Sequence, residues 1–218
     1  MTDTFAPADQ SFATLRRFAR ARTPLERCEL CSAALAEQHP HLVDPASRNI
    51  VCACDPCAML FDGRTRGKYR RVSRSVRLLA AFRMTEAQWE NLLIPINMAF
   101  FFRSSVSGGV TVLYPSPAGA VESLLPLDAW DEIVEDNPVL NHLQPDIEAL
   151  LVNRIQNARA ASHAEYYIAP IDQCYGLVGQ IRANWKGLSG GAEVWEGIAR
   201  FFDGLRSQAE IVTGEAHA

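Results

Sequence analysis

Apolar residues recur along this chain with two periods. Over residues 10–22, "QSFATLRRFARAR", Phe12, Leu15, Phe18 and Ala19 share one helical face with arginines opposite, and Pro24 sets the end of the predicted helix. Residues 41–54, "HLVDPASRNIVCAC", read as two short strands around an Asp44-Pro45 turn. Residues 63–77 read as a linker that runs into a strand. "TEAQWENLL" (85–93) opens on a Thr cap and reads as a helix. "IPINMAFFFRSS" and "VTVLYP" flank Gly108-Gly109, the pattern of a β-hairpin. "LPLDAWDEIVEDNP" holds a short acidic helix that Pro138 ends, and "IEALLVNRIQNAR" with "AEYYIAPI" reads as another strand pair. The best helical periodicity lies in 170–185 and 191–206, where Tyr175, Val178, Ile181 and Trp185, then Val194, Ile198, Phe201, Phe202 and Leu205, recur every three to four residues. "KGLSGG" joins these two helices as a corner. Strands grouped together with helices at the end predict an α+β fold rather than βαβ alternation.

Composition adds little to this until charge is split along the chain. A 218-residue chain that is 48% hydrophobic can bury a core without staples. No apolar run approaches the roughly 20 residues that span a bilayer. The first residues lack the basic and apolar regions of a secretory signal, so a cytoplasmic, reducing location is expected. The net charge of −4 hides an asymmetry: residues 1–83 carry 14 Lys+Arg against 8 Asp+Glu, and residues 84–218 carry 7 against 17. Such a division predicts either two surfaces with different partners or two halves that face each other.

The chemistry concentrates in "CELCSAALAEQHPHLVDPASRNIVCACDPC", which holds five of the six cysteines. Two Cys-x-x-Cys pairs, Cys28/Cys31 and Cys54/Cys57, stand 22 residues apart, just beyond the usual zinc spacing. Each pair turns tightly enough to aim both thiolates at one corner of a tetrahedron, and two knuckles on adjacent hairpins would complete a four-sulfur shell. Zinc is the default ion for a closed sulfur site. Iron in a rubredoxin-like arrangement is the alternative, disfavoured because Ser32 and Ala58, not glycines, follow the knuckles. Cys52 is surplus. On an extended strand it shares a face with Cys54, so it could replace Cys54 as ligand, lie beside the metal, simply be buried, or serve as a redox or metal-transfer thiol. His39 and His41 alternate in the same way and are expected to brace the knuckles by hydrogen bonds. A His-Asn-His nuclease would need a further ligand, for which Asp62 is the candidate.

Other features carry less. Arg64, Arg66, Lys68, Arg70, Arg71 and Arg74 form a basic segment suited to a partner: a protein, or less readily a nucleic acid, given a pI near 5.7. The glycines of "LSGG" read as a turn, since no phosphate loop accompanies them. Asp172, Cys174, Tyr175, His142 and His163 form no spacing that supports a catalytic triad, so no catalytic residue is expected.

The segments "RCELC", "HPHLVD", "CACDPCAMLF", "IPINMAFFFRSS", "YPSPAGAVESLLPLDAW" and "PIDQCYGLVGQIRANWKGLSGGAEVW" resemble an uncharacterised bacterial family, mainly actinobacterial, whose genes sit among [NiFe]-hydrogenase structural and maturation genes. The resemblance spans roughly residues 27–202. It implies Cys28, Cys31, Cys54 and Cys57 as ligands, with Cys52 part of the shared pattern, and an accessory, assembly or scaffold role near a hydrogenase. The expected layout is an N-terminal helix or arm (1–24), a zinc-ribbon-like module (25–62), a basic linker or strand (63–84), an α+β body of mostly antiparallel sheet with C-terminal helices packed on it (85–208), and a frayed tail (209–218). Loss of Cys28 or Cys57 is expected to unfold the module while the body keeps its helices.

Overall fold

The computed structural model describes residues 26–63, 67–123, 127–155, 164–187 and 189–213. The predicted helix over 10–22, together with Arg64, Arg66 and His163, lies outside the described residues.

The architecture is mixed α and β, with antiparallel pairing and C-terminal helices. Near the N-terminus, β1 (His41–Asp44) and β2 (Asn49–Cys52) form a hairpin. Its loop is held by Asp44, whose carboxylate accepts the Ala46 N–H at 3.0 Å and whose carbonyl accepts the Arg48 N–H at 2.7 Å. Helix α1 (Asp55–Phe61) follows, and β3 (Arg70–Arg71) returns antiparallel to the other edge of β1. The small sheet thus runs β2-β1-β3.

The remaining strands are β4 (Arg77–Leu79), β5 (Met98–Arg103), β6 (Val110–Ser116), β7 (Gly119–Ser123), β8 (Glu148–Asn153), β9 (Glu165–Pro170) and β10 (Glu210–Val212). They form one sheet in the order β10-β4-β9-β8-β5-β6-β7. All its pairings are antiparallel except β10 on β4. Helix α2 (Glu86–Asn91) starts on a capping box between Thr85 and Gln88. Helix α3 (Leu127–Asp136) runs into a 3₁₀ turn that begins at Pro138, so that proline redirects the chain rather than only ending a helix. Helices α4 (Ile171–Asn184) and α5 (Ala192–Gln208) close the fold. Their corner needs glycine at 190, where φ is +85° and an added Cβ would meet Val194 Cγ1 at 2.7 Å.

Both faces of the large sheet are covered, which explains the unbroken apolar run of β5. Met98, Phe100 and Phe102 enter the core beneath α4 and α5, with Leu151, Tyr167, Leu177 and Phe202. Ala99 and Phe101 point the other way, into a core with Trp89, Trp130, Ile133, Leu150 and Ile168. No helix among the described residues is long and apolar enough to cross a membrane.

The chain end departs from expectation. The sequence predicts fraying from 209, yet Glu210–Val212 form a parallel edge strand. The Glu210 N–H donates to Val76 O at 2.9 Å, and the Ala80 N–H donates to Val212 O at 3.1 Å. Backbone hydrogen bonds hold this strand, with Val212 packed against the core and Ile211 exposed, and three residues are too short a run to read as a strand from the sequence.

The cysteine module is fused to the body rather than tethered to it. Leu42 packs into the module's own small core, whereas its neighbour Val43, with Val72 and half-buried Ile50, packs into the core beneath α4. Two ion pairs cross the same boundary, Arg48 to Glu122 at 2.8 Å and Arg70 to Asp146 at 3.2 Å, and Arg77 at the start of β4 binds Glu148 at 3.1 Å within the large sheet. The two halves of opposite charge therefore face each other. Asp146 and Glu148 are almost wholly buried, so each depends on its arginine and on nearby backbone N–H groups, from Ser105 and Gln144. Arg70→Ala is expected to destabilise the fold by about 3 kcal/mol, because it strands the buried Asp146 carboxylate. Arg74→Ala, at an exposed position, is expected to change stability by less than about 0.5 kcal/mol. Urea unfolding of both variants checks this.

Candidate metal centre

The first knuckle is a tight backbone loop. The Cys28 N–H donates to Ala33 O at 2.8 Å, the Ser32 N–H donates to Cys28 O at 2.7 Å, and Leu35 N–H closes onto Glu26 O. To make this turn Ser32 takes a left-handed conformation, φ +63°, the geometry that glycine supplies more cheaply. Glu29 ties the knuckle to the hairpin twice: its N–H donates to Cys52 O at 2.9 Å, and its carboxylate accepts the Cys52 N–H at 2.8 Å.

The second knuckle is the start of a helix, not a second hairpin. Strand β2 ends at Cys52. Cys54 is extended, φ −76° and ψ 160°, and Cys57 lies in the first turn of α1. Pro56 at the helix start presets the helical φ and lacks the N–H that would go unbonded there, so "CDPC" turns inward as a helix N-terminus.

These two turns bring the sulfurs of Cys28, Cys31, Cys54 and Cys57 within 4.8 Å of one another, with Cys31 and Cys54 at 3.6 Å. A tetrahedral ion with bonds of about 2.3 Å would set sulfurs about 3.8 Å apart, so the group can hold a metal ion. Electrostatics point the same way. Burial opposes ionisation of Cys28, but the N–H groups of Cys54, Leu30 and Cys31 outweigh it and bring the thiol down to about 6. Burial first, then the three neighbouring sulfurs, push Cys57 up to about 12. Cys31 receives an N–H from Ala33, yet the adjacent sulfurs of Cys28 and Cys54 hold it above the usual thiol range. Cys28 is thus the readiest thiolate, and Cys31 and Cys57 would need a cation to ionise. The core around the cluster is small: Leu35, Leu42, Ala53 and Ala58 supply most of it.

Cys52, His39 and His41 do not join this group. They form a second one, in which one ring nitrogen of each histidine and the Cys52 sulfur lie within 4.8 Å of one another. The hairpin register makes His41 and Cys52 direct cross-strand partners, and the end of β2 sends Cys54 elsewhere. The shared face that sequence alternation assigns to residues 52 and 54 stops where the strand stops. The register, which no periodicity contains, is what pairs residue 41 with residue 52.

The remaining residues singled out by the sequence are placed as follows. Lys68 lies 3.7 Å from Asp44 and over the Tyr69 ring, Arg70 binds Asp146, Arg71 reaches Asp55 at 3.6 Å, and Arg74 is exposed. The Asp62 carboxylate accepts the Arg71 N–H at 3.1 Å. Cys174 is fully buried in the main core, where burial pushes its thiol up. Asp172 stands at the start of α4 and takes a hydrogen bond from His41 at 2.6 Å, which no sequence spacing signals across 131 residues.

Two outcomes follow from the four-sulfur geometry. Cys57→Ser is expected to abolish metal retention after dialysis against a mild chelator, read by elemental analysis. Binding of Zn²⁺ near neutral pH is expected to release at least two protons per ion, because Cys31 and Cys57 are held protonated. Affinity therefore rises with pH and falls on acidification, which a competition titration between roughly pH 6 and pH 8 measures.

Neither the curated proteins nor the solved structures contain a match to this chain. Residues 27–209, from the first knuckle through the end of α5, match the model of DUF5947, a family of unknown function, and the chain belongs to that family.

Proposed function

We propose that this chain is a non-catalytic accessory or scaffold protein in which one Zn²⁺, held by Cys28, Cys31, Cys54 and Cys57, organises an N-terminal module that docks a protein partner. The observation that carries the reading is the convergence of four sulfurs within 4.8 Å over a core of a few small residues. So small a core cannot order two knuckles and a helix without help, and a closed sulfur shell supplies folding free energy directly. Four protein sulfurs leave no open coordination position, which favours a structural ion over a catalytic one. Iron in the same shell is the alternative, and it would make the protein coloured and redox-active.

A protein partner fits the surface better than a nucleic acid. The described cations of the basic segment are largely engaged with acids of the same chain, namely Lys68, Arg70 and Arg71. Helix α1, which carries Cys57, instead exposes the consecutive apolar residues Met59, Leu60 and Phe61. The partner implied by the resemblance is a [NiFe]-hydrogenase subunit or maturation factor, in a reducing cytoplasm where thiols persist.

The reading is tested by purifying the tagged chain from a hydrogenase-producing host. Hydrogenase subunits are expected to copurify with a zinc-loaded, colourless protein, and Leu60→Asp is expected to reduce recovery at least about tenfold without loss of zinc. Absence of hydrogenase subunits together with unchanged hydrogenase activity in a deletion strain overturns the partner. Iron in place of zinc overturns the structural-zinc assignment.

A further inference from the structure

His39, His41 and Cys52 carry a separate argument. His39 Nδ1 lies 2.9 Å from Ala36 O, and His41 Nδ1 lies 2.6 Å from an Asp172 carboxylate oxygen. Both oxygens only accept, so both Nδ1 atoms carry the ring proton. The lone pair of each neutral imidazole is then on Nε2. The His39 side chain is only 7% exposed, and its buried Nε2 has no hydrogen-bond partner. Leaving such an acceptor unpaired costs on the order of 1–3 kcal/mol, so it calls for an occupant.

The surroundings have the form of a built ligand set. His41 and Cys52 are locked as cross-strand partners in β1 and β2, and His39 lies two residues before His41, its ring edge-on to that of His41 with centroids 4.8 Å apart. Two of the three side chains are oriented by their other polar atom. The Asp172–His41 pair is the carboxylate–histidine arrangement that fixes the tautomer of a ligating imidazole and raises its basicity. Asp172 comes from α4, so the body, not the module, sets this histidine. The donors are two imidazole nitrogens and one sulfur, a set of borderline softness that suits Zn²⁺ and its neighbours rather than Mg²⁺ or Ca²⁺.

We propose that His39 Nε2, His41 Nε2 and Cys52 Sγ form a second metal site for a zinc-class divalent ion, oriented by Asp172 and distinct from the four-sulfur centre. Three protein ligands leave a tetrahedral ion one position for water or a donor from another molecule. The two sites would therefore differ in kind: one shell is closed, and the other is open and lies at the seam between module and body.

The test is metal stoichiometry on the full chain, with Zn²⁺ measured by elemental analysis and Co²⁺ as a spectroscopic probe. Wild type is expected to bind two equivalents, and Cys52→Ala and His39→Gln one each. In those variants the retained equivalent, with its intense sulfur-to-cobalt absorption, certifies that the four-sulfur module is folded. The second equivalent in wild type is expected to add about a quarter of that sulfur-to-cobalt intensity, since it brings one sulfur against four. Asp172→Asn lies outside the module, and it is expected to weaken only the second equivalent, about 10–100-fold. A wild-type chain that binds one equivalent, abolished by Cys57→Ser, overturns this site while leaving the four-sulfur centre intact. So do two equivalents that Cys52→Ala and His39→Gln leave unchanged. Should those two variants fail to fold, an unchanged second affinity in Asp172→Asn also overturns it.

Discussion

Strand β1 is four residues long and belongs to two cores. Alternation along a strand sends successive side chains to opposite faces, and here both faces are dry. Leu42 closes the small core under the sulfur cluster, and Val43 enters the main core beneath α4. His41, on the Val43 face, therefore reaches the body and finds Asp172. A slip of one residue in β1 would exchange these roles, moving the histidine away from α4 and the valine into the sulfur core. The backbone hydrogen bonds on both edges of β1, to β2 and β3, hold that register.

This constraint couples parts that look independent along the chain. The first knuckle clamps β2 through Glu29 and Cys52, β2 fixes β1, and β1 enters the core beneath α4 and α5. Ionic contacts follow the same boundary. Asp146 and Glu148 are buried carboxylates of the body, and the arginines that compensate them come from the basic stretch after the module. That stretch is basic chiefly because the body is acidic where it docks. Among its described cations Lys68, Arg70, Arg71 and Arg77 are paired with acids of the same chain, which leaves apolar α1 as a conspicuous exposed feature of the module.

The local geometry also explains why two chemically similar clusters stay distinct within so short a segment. Cys52 and Cys54 are two residues apart but lie on either side of a structural change, from strand to helix start. The strand residue pairs with His41 across the hairpin while it packs against the module's own core. The helix-start residue looks inward to Cys31. Thiols crowded as in the four-sulfur group resist ionisation together, and a cation removes that conflict. The histidine group has the complementary deficiency, a buried lone pair without a donor.

Much of this was legible from the residues alone. The two Cys-x-x-Cys pairs, the Asp44-Pro45 turn, the Thr85 cap, the Gly108-Gly109 hairpin and the two C-terminal helices are local signals, and each depends on chemistry within a few residues. What the sequence could not contain was anything set by register or by backbone pairing between distant segments. Strand β10 is too short for its Ile211 and Val212 to mark it as a strand by themselves, and the open edge of β4 gives it its partner. The internal neutralisation of the basic segment depends on acids about seventy residues away. The histidines lay in plain view as an alternating pair, and sequence placed them beside the four-sulfur cluster. Only the pairing of His41 with Cys52, and the approach of Asp172 from the far end of the chain, made them a group of their own. Local propensity wrote the elements, and burial of both faces of one short strand decided how they meet.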